Sequence, residues 1–96
     1  MKSRWETLID DERGTLKIEF NSGMAFLHVA FKQVMEGMRA AKALFPGVLE
    51  MLRGMGYGSV HVIIPEGNDA LHRFEEHFGF SDVRHHGGQI LMRRST

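Results

Sequence analysis

Leu16, Ile18 and Phe20 alternate with Lys17, Glu19 and Asn21. This period of two turns one face of a strand to a core and the other to water. Ahead of it, Trp5–Ile9 reads as another strand, closed by the polar turn Asp10-Asp11-Glu12-Arg13-Gly14. Behind it, Asn21-Ser22-Gly23 signals a tight turn, and Met24–Phe31 is apolar on both faces, the mark of a central strand. The opening third therefore predicts a three-stranded antiparallel meander.

From Gly37 the period changes. Met38, Ala41, Leu44, Phe45, Val48, Leu49 and Leu52 follow helical spacing. Pro46-Gly47 predicts a kink or restart, and Gly54-Met55-Gly56 an end. Val60–Ile64 is β-branched and reads as a buried strand closed by Pro65-Glu66-Gly67. Asn68 is a good cap for a helix over Asp69–Phe78, with Asp69 at the positive end of its dipole and Gly79 as its stop. Phe80–His86, Gly87-Gly88 and Gln89–Arg93 predict a terminal hairpin. The order β-β-β-α-β-α-β-β defines an α+β mixed sheet. Its third and fourth strands, joined through a helix, are expected to be parallel with a right-handed crossover.

Composition narrows the function classes. The chain has 96 residues, 12 Lys+Arg against 12 Asp+Glu, and no Cys. We read residues 1–96 as one small domain with a thin core, since a chain of this length buries only about 60–65% of its unfolded surface. Disulfide scaffolds and thiolate metal sites are excluded. A formal charge of zero leaves no basic excess for nucleic acid. With neither a long apolar run nor a signal-type start, the expectation is a cytoplasmic protein without a membrane partner. Near-zero charge favours association. Eleven Gly mark turns and close approaches, and seven Met suggest irregular core or interface filling, with Met24, Met35, Met38, Met51 and Met55 as its members. Five of the six His follow residue 60, so the second half gains most of the positive charge below pH ~6.5.

The stretch Gly56–Phe80 carries a family resemblance. Asn68 to Phe80 resembles, over the same thirteen positions, the GNAT (Gcn5-related N-acetyltransferase) pattern N-x-x-A-x-x-L-Y-E-K-L-G-F. Asn68, Phe74, Glu76 and Gly79-Phe80 fall on its marked positions. The element order over residues 5–94 is similar to the family's second to seventh strands with their two later helices. The resemblance implies a truncated GNAT-like fold, lacking the usual N-terminal strand and two helices, with a splayed parallel strand pair whose cleft takes the pantetheine arm of acetyl-CoA. It implies a cofactor site at Val29 and Phe31, through their backbone, the loop Gln33–Ala40 with Gln33, Gly37, Met38, Arg39 and Ala40, and Asn68.

Departures from the pattern are informative. The family's Tyr, often the general acid to the departing thiolate, is replaced by Glu75, expected at neutral pH to be a carboxylate rather than a proton donor. Leu71 replaces a small Ala. In the phosphate loop, Q/R-x-x-G-x-G/A in the family, Gly37 comes one residue late, Met38-Arg39 is bulky and Glu36 is negative, leaving Arg39 as the counter-charge. The run Glu36–Phe45 is similar to short GNAT-like proteins of tailed phages and prophages.

Individual residues carry plainer readings too. Asn68 serves as a cap whether or not it meets a cofactor amide. Glu75 and Glu76 fit an acidic helix surface as well as a general base. His72 and His77 lie ~140° apart around a helix, and His85-His86 point to opposite faces, so no metal site is expected. His28 reads as a core or interface histidine, and Arg93-Arg94 is too short for nucleic-acid recognition.

Two functions follow. One is a degenerate acetyltransferase-like domain acting through protein association, in a phage or mobile-element setting, with a homodimer or another protein covering a bare sheet face and edge strand. The other is an active acetyl-CoA-dependent N-acetyltransferase acting on an unspecified amine. Its proton relay would be water, and a backbone amide at the splay would polarise the thioester.

Overall fold

The computed structural model describes Ser3–Thr96. The elements are β1 (Arg4–Asp11), β2 (Gly14–Asn21), β3 (Met24–Phe31), α1 (Val34–Gly54), β4 (Ser59–Pro65), α2 (Asp69–His77), β5 (Ser81–His86) and β6 (Gln89–Ser95). They build a six-stranded mixed sheet in the order β1-β2-β3-β4-β6-β5. The α+β class, the order of elements and the parallel pair are those expected from the pattern.

The alternation in β2 sets the register of the first half. Leu16, Ile18 and Phe20 are buried and the residues between them only partly so. A slip of one residue would expose all three, so the pairing with β3, Gly14↔Phe31 through Asn21↔Met24, is strongly specified. Gly14 fixes one end of that ladder. Its φ is +134°, and a Cβ there would lie 2.2 Å from the carbonyl oxygen of Ala30, so no other residue fits.

Both helices feed one core. Ala41, Val48, Leu49 and Leu52 of α1 join Ile18, Leu27, Val60, Val62, Ile64 and Met92 from the sheet, and Leu71 and Phe78 of the α2 region pack against them. Phe45 of α1 meets Phe78 at the end of α2 edge-on at 5.1 Å, tying the helices together, and Phe74 packs on Phe78 at 4.9 Å within the α2 segment. On the opposite sheet face Trp5 and Ile63 stand half exposed.

The structure corrects several boundaries and faces. Helix α1 starts at Val34 rather than Gly37 and passes through Pro46 without a break. Its apolar stripe holds as far as Val48, Leu49 and Leu52, but Leu44 is exposed. Met35, Met51 and Met55 are exposed as well, so these methionines fill no core here, and the fully buried one is Met92. Strand β3 is central in the sheet, yet His28 on its outward side is exposed. No helix of the described residues is long and apolar enough to cross a membrane.

Candidate functional site

The site begins where two strands part. β3 and β4 run parallel but share a single register pair, Phe26↔His61. Beyond it the ladder stops and a slot of about 130 Å³ opens, lined by Leu27, His28 and Val29 on one side and Val62, Ile63 and Ile64 on the other. Three consecutive residues on each wall span both parities of a strand, so the slot passes through the thickness of the sheet. Leu71 and Glu75 of α2 close its helix side.

A larger groove of about 620 Å³ leads into it. Its walls include Val29 and Phe31 of β3, Val34 and Met38 of α1, and Asn68, Leu71, Arg73 and Phe74 of the α2 segment. Val29 and Leu71 belong to both spaces. The groove therefore runs between the first turns of two helices and ends at the strand divergence.

The two helix starts differ. At α2 the Asn68 side chain accepts a hydrogen bond from the Leu71 N–H at 3.1 Å, so the predicted cap is real. At α1, Gln33 makes no side-chain cap and the Gly37 N–H reaches back to the Gln33 carbonyl at 2.8 Å. The N–H groups of Val34, Met35 and Glu36 thus precede the first intrahelical bond and remain available to an anion.

Of the residues expected to hold a cofactor, Val29, Phe31, Met38 and Asn68 line this groove. Gly37 lies behind the Phe31 ring, where a Cβ would sit 2.3 Å from its Cδ1. Ala40 packs against the core. Gln33 and Arg39 are exposed and line no wall of it. The expected loop Gln33–Ala40 is instead, from Val34 on, the first two turns of α1. The groove's cation is Arg73, which the sequence reading passed over. Its signal was available: Ala70, Leu71 and Phe74 mark the inward face of α2, and Arg73 borders that stripe.

Glu75 overturns an expectation. It was read as an ionised carboxylate on a helix surface, yet it is 4% exposed. It follows Leu71 by one helical turn and so shares that inward face. Burial, with no counter-charge to offset it, pushes its carboxyl up to about 7. At neutral pH a large share of the molecules carry it as the neutral acid.

Other titratable groups sit apart from the groove. On the open face, His28 Nε2 lies 3.0 Å from Glu19 Oε1 and the ring sits tilted against Trp5 with centroids 4.7 Å apart, so His28 is an exposed, paired histidine rather than a core one. His61 is buried against Phe26, its Nδ1 without a partner, and burial holds it below the usual histidine range. Asp82 bridges His72 at 2.6 Å and His85 at 3.0 Å, joining α2 to β5. Among the described residues, no cluster of His, Asp and Glu is arranged to hold a metal ion.

No family model and no curated protein matches the sequence. Solved structures do match the fold. The chain is similar to the PaiA N-acetyltransferase of Thermoplasma acidophilum, solved in complex with coenzyme A, with a TM-score of 0.72 at 15% identity, over 86% of this chain and 53% of that one. It is similar to a candidate acetyltransferase of Agrobacterium tumefaciens, with a TM-score of 0.67 at 21% identity, over 99% of this chain and 75% of that one. A domain from Methanocaldococcus jannaschii also matches, with a TM-score of 0.65 at 15% identity, over 86% of this chain and 56% of that one. The chain thus shares the fold of these structures, and it spans about half the length of the Thermoplasma protein.

Proposed function

We propose that this chain is an acyl-CoA-binding domain that transfers an acyl group to an amine. The observation that carries this reading is the groove that passes the first turns of both helices and ends in a slot between diverging parallel strands. A ligand with a charged diphosphate at one end and a slender apolar arm at the other matches that shape. The free N–H groups of Val34–Glu36 and the Arg73 guanidinium suit the phosphates. Val29 and Phe31 border the path of the arm, where strand backbone is free to meet its amides. Asn68 sits at the same wall, its carbonyl oxygen already committed to the cap. When bound, the acyl-CoA supplies an activated thioester. The chain's own residues hold the arm straight and keep water from it. The coenzyme A complex of the Thermoplasma neighbour supports the reading by fold.

Calorimetric titration with acetyl-CoA at neutral pH tests it. One-to-one binding in the micromolar range is the expected result, and absence of heat at high concentration overturns it.

A second reading has its own observation. Trp5 at 49% and Ile63 at 50% exposure stand on the sheet face that bears no helix, and β1 is an edge strand. Protein association through that face, with a second copy as the simplest partner, fits two large exposed apolar side chains and a chain of zero formal charge. The phage or mobile-element setting rests on the run Glu36–Phe45 alone. Sedimentation velocity separates the readings. A concentration-dependent dimer lost on Trp5→Ala favours association, and a monomer at millimolar concentration dismisses it.

A further inference from the structure

A second concavity, of about 360 Å³, opens between the middle of α1 and the end of α2. Lys42 follows Met38 by one turn of α1, and Phe78 follows Phe74 by one turn of α2, so it lies farther along both helices than the groove. It shares no residue with the groove or the slot. Its polar side chains are Lys42 from α1, His77 from the last turn of α2 and Arg94 from β6, and among the described residues no carboxylate lines it. None of the three forms an ion pair among the described residues. The zero formal charge of the chain therefore covers a division around α2. The acids Glu66, Asp69 and Asp82 gather on the side of His72, ~140° around the helix from His77.

Arg94 is fixed by two contacts. Its guanidinium carbon stands 5.2 Å from the centroid of the Phe45 ring. Its side chain also lies on Gly79, where φ is +88° and a Cβ would come 2.6 Å from Nε and 3.2 Å from Cδ. Any side chain at Gly79 would push the guanidinium aside, so this glycine both ends α2 and seats Arg94. Neither contact neutralises the charge, and a fork of N–H donors is shaped to take a carboxylate or phosphate group. The carbonyls of Glu75 and Glu76 at the end of α2 already accept from the N–H groups of Phe78, Gly79 and Phe80, so the cations are not needed to cap them. Beside the cations, Phe45 and Phe78 meet edge-on at 5.1 Å and form an apolar wall.

We propose that this concavity is a binding site for a small organic acid, which sets its oxyanion on the Arg94 fork, with Lys42 and His77 around it, and its apolar body against Phe45 and Phe78. A space of about 360 Å³ is at the lower end of ligand pockets and suits a body of one ring. A guanidinium held in place before binding loses little further freedom when the acid arrives. The site is independent of the acyl-CoA reading, since the two share no side chain.

Benzoate and phenyl phosphate are the probes, with inorganic phosphate as the anion alone and benzamide as the uncharged body. Amide-resolved NMR titration of the ¹⁵N-labelled full chain should show saturable shifts at Phe45, His77–Gly79 and Arg94. At least one of the two acids should bind about tenfold more tightly than either control, and the tighter one names the oxyanion. Arg94→Gln should weaken it about tenfold or more. Lys42→Ala, at an exposed position that the fold does not need, should weaken it about threefold. Saturating CoA should leave the affinity within about twofold, as for separate sites. No saturation by either acid up to ~10 mM, controls that bind as tightly, or affinity unchanged in both variants overturns the site. Displacement of the acid by CoA overturns its independence and gives the concavity to the cofactor.

Discussion

The ring of Phe31 lies against the bare Cα of Gly37, so closely that a Cβ on Gly37 would be 2.3 Å from Cδ1 and 2.9 Å from Cγ. The same ring meets Phe74 edge-on at 5.8 Å. Phe31 is therefore pinned between α1 and α2 and forms a wall of the groove. Gly37 matters here as absent volume beneath that wall. Substitution to Ala forces the ring to move, costing about 1–3 kcal/mol, against a gain of up to about 1 kcal/mol from helix propensity. We expect Gly37→Ala to lose about 1 kcal/mol net and to weaken CoA binding about fivefold or more. In a Phe31→Ala background the clash is gone, and the same substitution should stabilise. Chemical denaturation of the four proteins checks the cycle, and equal effects in both backgrounds would show that the ring is not the constraint.

Arg73 and Arg39 make opposite predictions. Arg73 lines the groove and Arg39 points away from it into solvent. Arg73→Ala should weaken CoA affinity about tenfold, as loss of one charge-assisted phosphate contact does. Arg39→Ala should leave it within twofold. Paired calorimetric titrations decide, and the reverse ranking would return the phosphate site to the residues that the sequence favoured.

Glu75 makes stability depend on pH with a definite sign. Its folded value, about 7, lies above the ordinary 4.5, so between these values the folded state holds a proton that the unfolded chain has released. Stability from this group is thus whole below pH ~4.5 and lost as pH rises to ~7, by about 3 kcal/mol. Glu75→Gln should raise stability by about 2–3 kcal/mol at pH 8 and change it little at pH 4.5. Urea unfolding of both proteins at the two pH values is the measurement, and a pH-independent difference would contradict a neutral buried acid.

In the bridge of His72, Asp82 and His85 the histidines follow the same sign as Glu75 and the aspartate the opposite one. Hydrogen bonds to Asp82 raise both histidines from the ordinary 6.5, and hydrogen bonds from His85 and His72 lower Asp82 from 3.8. The histidine contribution is fully present below pH ~6.5 and fades as pH rises through their folded values. The aspartate contribution is present above pH ~3.8 and fades as pH falls through its own. Proton-detected titration of the imidazoles should place His72 and His85 above the ordinary histidine range, and Asp82→Asn should lower both.

The order of strands and helices could be read from the sequence because local signals agreed: alternation in β2, β-branched density in β4, and Asn68 with Gly79 bracketing α2. The groove was read only in part. Phe31, Met38 and Asn68 lie on elements whose ends were marked by turn residues, and they fall on its walls. Gln33 and Arg39 came from the resemblance to a phosphate loop, and the chain forms α1 from Val34 instead, leaving both exposed. Glu75 escaped because composition argues that glutamates lie on surfaces. Only the tertiary fact that α2 turns its Leu71–Glu75 edge to the strand divergence places it inside.

The central claim is that the groove between the starts of α1 and α2, ending at the β3–β4 divergence, receives the acyl-CoA. Titrating ¹⁵N-labelled protein with CoA and recording amide shifts residue by residue tests it most directly. The account predicts the largest changes at Val34–Met38, at Asn68–Phe74 and along Leu27–Val29, with Trp5 and Ser81–His86 unmoved. Shifts concentrated on the open sheet face, or none anywhere at saturating CoA, would contradict it.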